Sequence, residues 1–251
     1  MHNIMAVSIY EIKMMLRRLG FWGILIFALV ISIWDNFPSK SNLSRLSFLA
    51  EPGYLVSRLL VQTGLLIMFG VMFLVSNTIA KDKKTGVDQL LMTSNISKKQ
   101  YIIGKFIGNF IPTMLMFGLY FLVHAVIQIV LIPEAFSLKA YLFGYFILAV
   151  AASFFVIGIS ISLPMWIDIR IFYALMALYF LANLLIVPDS TTLPFWFLFY
   201  GDLIKIIYNY GFGVLIIKNV ILNILFLVGI GALSVFSLMI NKRFWRDNVT
   251  K

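Results

Sequence analysis

Long apolar runs separated by short polar breaks dominate the chain, and they set its expected elements. Continuous apolar stretches cover about Leu19 to Trp34, Leu59 to Ala80, Ile102 to Ile132, Leu138 to Leu163, Ile169 to Val187 and Val220 to Ile240. A bilayer-spanning helix needs roughly 17 to 25 predominantly apolar residues, so most of these runs are long enough to span and the first is short by itself. The pattern predicts six transmembrane helices in a single transmembrane domain covering 1–251, an all-α integral membrane protein. Pro112, near the start of the third run, removes a backbone donor and predicts a tilt or bend there.

The polar breaks carry patterns of their own. In residues 1–19, Met5, Ile9, Ile12, Leu16 and Leu19 recur at spacings of three and four, with Lys13 and Arg17 nearly opposite. This predicts an amphipathic helix lying in the membrane interface, basic face toward lipid phosphates. The apolar run after it ends in WDNFPSKS without a small-residue cleavage site, so the segment is expected to be retained rather than removed as a signal peptide.

Residues 81–100, within AKDKKTGVDQLLMTSNISKKQ, hold five lysines between the second and third runs. Thr85 followed by Asp88 is a weak helix-start signal, and Val87, Leu90 and Leu91 fall at i, i+3 and i+4. Ser97 with Gln100 is a stronger capping box for the third run. The segment thus reads as helix, turn, helix, its first helix of about two turns being marginal without a partner surface. Two readings of Val87, Leu90 and Leu91 remain open: a docking face for another protein, or contacts with the chain's own helices, the lysines then acting only as an anchor.

The stretch 188–219, PDSTTLPFWFLFYGDLIKIIYNYGFGVLIIKN, is too long for a simple loop, and Gly201, Asp202, Lys205, Asn209 and Gly211 interrupt it. Its rings Phe195, Trp196, Phe197, Phe199, Tyr200, Tyr208 and Tyr210 suit the membrane-water boundary, and re-entrant or interfacial helices are expected. A seventh span is the competing reading. It would place Lys242, Arg243 and Arg246 on the wrong side for the charge rule.

Composition strengthens the membrane reading. The chain is 62% hydrophobic and 12% charged, against about 25% charged in a soluble domain. It contains no cysteine, which excludes disulfides, thiol catalysis and cysteine metal sites. The net charge of +10 is unevenly placed. With six spans, Lys13, Arg17, Arg18, Lys81, Lys83, Lys84, Lys98, Lys99, Lys105, Arg170, Lys242, Arg243, Arg246 and Lys251 share the side of the termini, while only Lys40, Arg45, Arg58, Lys139, Lys205 and Lys218 fall on the other. The positive-inside rule therefore puts both termini in the cytoplasm and points the basic excess toward membrane lipid rather than nucleic acid.

Candidate chemistry is sparse. No GxxxxGK[ST] loop is present, so nucleotide hydrolysis is not expected of this chain. No paired carboxylates lie within a span, which weakens an ion-coupled carrier, and no metal-ligand or nucleophile arrangement suggests an enzyme. His124 and Gln128 share a face of the third run, and Asn183 lies late in the fifth. These three are candidates for lining a substrate path, or equally for hydrogen bonding between packed helices.

Taken in order, the entry helix, two spans, the charged segment, four further spans and the outer segment resemble the permease subunit of a type-2 ABC exporter. The resemblance rests on Asp82, Gly86, Asp88, Leu90, Leu91, Thr93, Ser97, Gly104 and Lys105, with Val87 standing where threonine is usual and Asn95 where proline is usual. It implies that Asp82, Lys83, Lys84, Thr85, Gly86, Val87, Asp88, Gln89, Leu90 and Leu91 form an ATPase-coupling segment, its helix being Gly86 to Leu91. It further implies a separate ABC ATPase subunit carrying ATP and magnesium, and a second copy or a related permease. The location implied is a bacterial plasma membrane, and the cargo a hydrophobic or amphipathic peptide, drug or lipid, with antimicrobial-peptide export or immunity as a narrower guess. A scaffold that sequesters a hydrophobic peptide without pumping it is the alternative from a different class, and an ion-coupled carrier a third.

Overall fold

A computed structural model of the chain describes residues 2–36, 51–87, 96–186, 195–199 and 214–240. Among these, all regular structure is helical. The helices are α1 (His2–Leu16), α2 (Leu19–Asn36), α3 (Gly53–Asp82), α4 (Lys98–Leu131), α5 (Leu138–Met165), α6 (Ile169–Leu185) and α7 (Val214–Ile240). Helix α3, α4, α5 and the Lys218–Ile240 part of α7 are each long and apolar enough to cross a membrane. Helices α1 and α2 meet at a bend of 59° and pass the same test only as a pair, which would make a fifth; α6, at 17 residues, is shorter. The coarse expectation of an apolar helical bundle is met.

Helix α4 is the long strut of the fold. Its 34 residues extend about 51 Å at 1.5 Å per residue, well beyond the roughly 30 Å of hydrocarbon. The capping box forms as the sequence predicts: Ser97 Oγ accepts from the Gln100 amide at 3.3 Å, and Gln100 Oε1 accepts from the Ser97 amide at 2.9 Å. The helix runs unbroken through Pro112. Close by, Asn109 donates to the Lys105 carbonyl and Thr113 to the Asn109 carbonyl.

Close helix contacts occur where glycine leaves room. A Cβ at Gly104 would fall on Val7, and one at Gly108 on Glu11, so α1 lies directly against the α4 backbone. At Gly158 and Gly231, α5 and α7 meet backbone to backbone. Small residues at such crossings let dispersion and packing replace the hydrophobic drive that lipid surroundings remove.

The face of α1 packed on the bundle is Val7, Ser8, Glu11 and Met15, while Met5 and Ile9 of the apolar face read from the sequence are exposed on the bundle surface. Two π-helical turns, Leu59–Gly64 in α3 and Gly144–Ala149 in α5, pack against each other in the bundle. Neither turn is signalled by the hydrophobic pattern.

Candidate functional site

The end of the bundle that carries Lys81, Lys84, Lys98 and Lys99 holds an ionic trio in which Glu11 and Lys105 are buried and Asp82 is partly buried. Lys105 Nζ lies 2.5 Å from Glu11 Oε1 and 2.5 Å from Asp82 Oδ2. Tyr101 donates its hydroxyl proton to the same Asp82 oxygen at 2.8 Å, and the lysine ammonium sits 5.7 Å from the Tyr101 ring centroid. The glycine pair of α4 brings α1 close enough for Glu11 to reach. Lys105 follows Gly104 directly and points along the same contact, while α3 extends past its apolar part to deliver Asp82.

Glu11 and Lys105 are each 1% exposed. Burial pushes the Glu11 carboxyl above its ordinary range, with the Lys105 charge and hydrogen bond pulling it back. Glu11 Oε2 accepts no hydrogen bond among the described residues. Nearby, Arg18 donates to the Leu74 carbonyl at 2.7 Å and ties the α1–α2 joint to α3.

Of the expected coupling residues, Asp82, Lys83, Lys84, Thr85, Gly86 and Val87 are described; Asp88, Gln89, Leu90 and Leu91 lie outside the described residues. Thr85 closes a helix rather than starting one. It is the last residue of the Thr78–Thr85 turns, and its Oγ1 donates back to the Lys81 and Asp82 carbonyls. Gly86 follows at φ 71°, a conformation that suits glycine and ends helices. A Thr hydroxyl can serve either helix end, and the carbonyls of the preceding turn won.

The expected path residues are placed separately from this trio. His124 and Gln128, both fully buried, lie toward the other end of α4. His124 Nε2 is 2.6 Å from Ser32 Oγ of α2, and Gln128 Oε1 accepts from the Tyr141 hydroxyl of α5 at 2.8 Å. Tyr120, with its ring centroid 4.5 Å from that of His124, donates to the Leu59 carbonyl in the π turn at 3.4 Å. These are bonds between packed helices.

Asn183 holds residues 195–199. Its Oδ1 accepts from the Leu198 amide at 2.7 Å, while Asn223 of α7 donates to the Phe195 and Phe197 carbonyls. Residues 195–199 are thereby clamped between α6 and α7, and the Phe199 ring packs over Gly64, where a Cβ would come within 3.2 Å.

Two apolar grooves open on the bundle surface. One of about 380 Å³ is lined by α4, α5 and α7 around Phe106, Phe154 and Phe236, and another of about 300 Å³ by α3 and α6 around Phe69 and Phe180. None of His124, Gln128 and Asn183 lines either. No group of three His, Asp or Glu side chains suited to a metal occurs among the described residues.

No known family's sequence profile matches the chain, and no curated protein matches it.

Sequence reasoning missed Glu11 and the pairing of Lys105. The signal was present: Glu11 is the one acidic residue in the first 34, and a carboxylate on the face carrying Val7 and Ser8 needs a cation wherever that face is buried.

Proposed function

We propose that the chain is the membrane-spanning subunit of an ATP-driven exporter of the type-2 ABC class. In this reading it spans a bacterial plasma membrane six times, α6 being the fifth span, with both termini in the cytoplasm and the 188–219 segment entering from outside. It pairs with a second copy or a related permease, and a separate ATPase supplies the energy. Its cargo is hydrophobic or amphipathic: a peptide, a drug or a lipid-like molecule.

The observation that carries the reading is the segment between α3 and α4. It joins two long helices at the basic end, spaces Val87, Leu90 and Leu91 at i, i+3 and i+4 in the sequence, and sits in a chain without a phosphate-binding loop. A docking face and a missing nucleotide site together call for a nucleotide-hydrolysing partner. The clamped packing of Phe195–Phe199 against Gly64 supports an outer segment that enters the bundle. Co-expression with candidate ABC ATPases from the same genome tests the proposal. The wild-type chain should co-purify with one of them and the double variant Leu90→Asp, Leu91→Asp should lose it; unchanged association of the variant would count against the coupling role.

A further inference from the structure

The trio of Glu11, Lys105 and Asp82 joins three elements: the entry helix α1, the extension of α3, and α4. Its placement is specific. Asp82 lies four residues before Gly86, where the positive φ ends the helix and the proposed coupling segment begins. Lys105 lies eight residues after Ser97, the cap at which that segment ends. One ion pair therefore spans the two flanks of the segment, and the second fastens both flanks to α1.

The charges are poorly matched as a means of stability alone. Two carboxylates face one ammonium, and Glu11 Oε2 lacks a hydrogen-bond donor among the described residues. Apolar side chains of similar volume could fill such a site at no loss of stability, so stability alone does not account for the trio.

We propose that Lys105, with Glu11 and Asp82, is a positioning group that holds the flanks of the coupling segment in register with α1 and α4. A displacement of the segment then reaches both helices together. This role rests on the functional reading above. Lys105 acts by placing the segment.

The natural absence of cysteine makes the test direct. Spin labels on Tyr10→Cys in α1 and Lys84→Cys beyond Asp82, both exposed positions, report the distance across the trio by pulsed electron resonance. The comparison variant is the neutral trio Lys105→Met, Glu11→Gln, Asp82→Asn, which leaves no buried charge unpaired, with helical content and monodispersity as folding controls. Lys105→Arg, which keeps the charge, is the conservative rescue. One narrow distance population is expected for the native trio and for Lys105→Arg, and a broadened or divided one for the neutral trio.

A second readout separates positioning from mere packing. With the co-purified ATPase, the neutral trio should still bind but lose at least fivefold of the turnover that the wild-type chain elicits. An unchanged distance population in the neutral trio overturns the proposal, as does a broadened one with wild-type turnover. Failure of the functional reading looks different: the wild-type chain itself would leave ATPase turnover unaltered while the distance populations still separate.

Discussion

Helix α4 is tied to its neighbours at both ends, by charge at one and by neutral hydrogen bonds at the other. At the basic end Lys105 meets Glu11 and Asp82; toward the opposite end His124 meets Ser32, and Gln128 meets Tyr141. Both groups are buried and both join three helices. They differ in the cost of losing one partner. A neutral bond between membrane helices contributes little, because the separated partners find other hydrogen bonds. A buried charge has no such recourse, since its partner is left desolvated and uncompensated. The charged end is therefore the one at which geometry is enforced.

Breaking the ionic side should have the largest effect. Lys105→Met leaves the buried Glu11 carboxylate and the partly buried Asp82 carboxylate without their cation and is expected to destabilise the protein by about 3–5 kcal/mol. Thermal unfolding in detergent, followed by circular dichroism, checks this. Neutralising Glu11 and Asp82 as well should recover most of the loss.

Much of the fold is legible in the sequence, because its dominant signal is length of apolar run. Helices α2 to α7 begin and end within a few residues of the runs that predict them, apart from α3 and α7, which start earlier in turns whose composition is mixed. The Ser97 and Gln100 cap is legible because its chemistry is local. The packed face of α1 is not. Hydrophobic periodicity selects Met5, Ile9 and Ile12, but close approach to Gly104 and Gly108 selects Val7 and Ser8, and size rather than apolarity decides a contact of that kind. For the same reason Lys105 reads in sequence as one more interface charge. Its partners lie on α1 and α3, and nothing local to α4 reveals them. The site at Asn183 is half legible: a polar residue late in an apolar run asks for a hydrogen-bond partner, without saying that the partner is the backbone at Leu198.

A smaller effect is expected at the neutral end. Tyr141→Phe removes only the hydroxyl that Gln128 accepts from, and should lower stability by about 0.6 to 1.7 kcal/mol in the same assay. A loss as large as that of Lys105→Met would erase the contrast between the two ends.

The smallest effect is a pH dependence. Burial raises the Glu11 carboxyl above 4.5 on folding, so the folded chain binds a proton more readily than the unfolded one. Stability contributed at this residue is greatest at low pH and declines as pH rises from about 4.5 through the raised value. Glu11→Gln should flatten that decline in a pH series of detergent melts.

Whether the charged end is where energy enters turns on which side of the membrane it faces. Single cysteines in the cysteine-free chain decide this: Lys84→Cys at the charged end, Glu134→Cys at the other, each treated in intact cells with a membrane-impermeant maleimide. A cytoplasmic charged end predicts labelling of the Glu134→Cys chain in intact cells, and of the Lys84→Cys chain only after the membrane is opened. Labelling of Lys84→Cys in intact cells would place the charged end outside, away from ATP, and would contradict the coupling role.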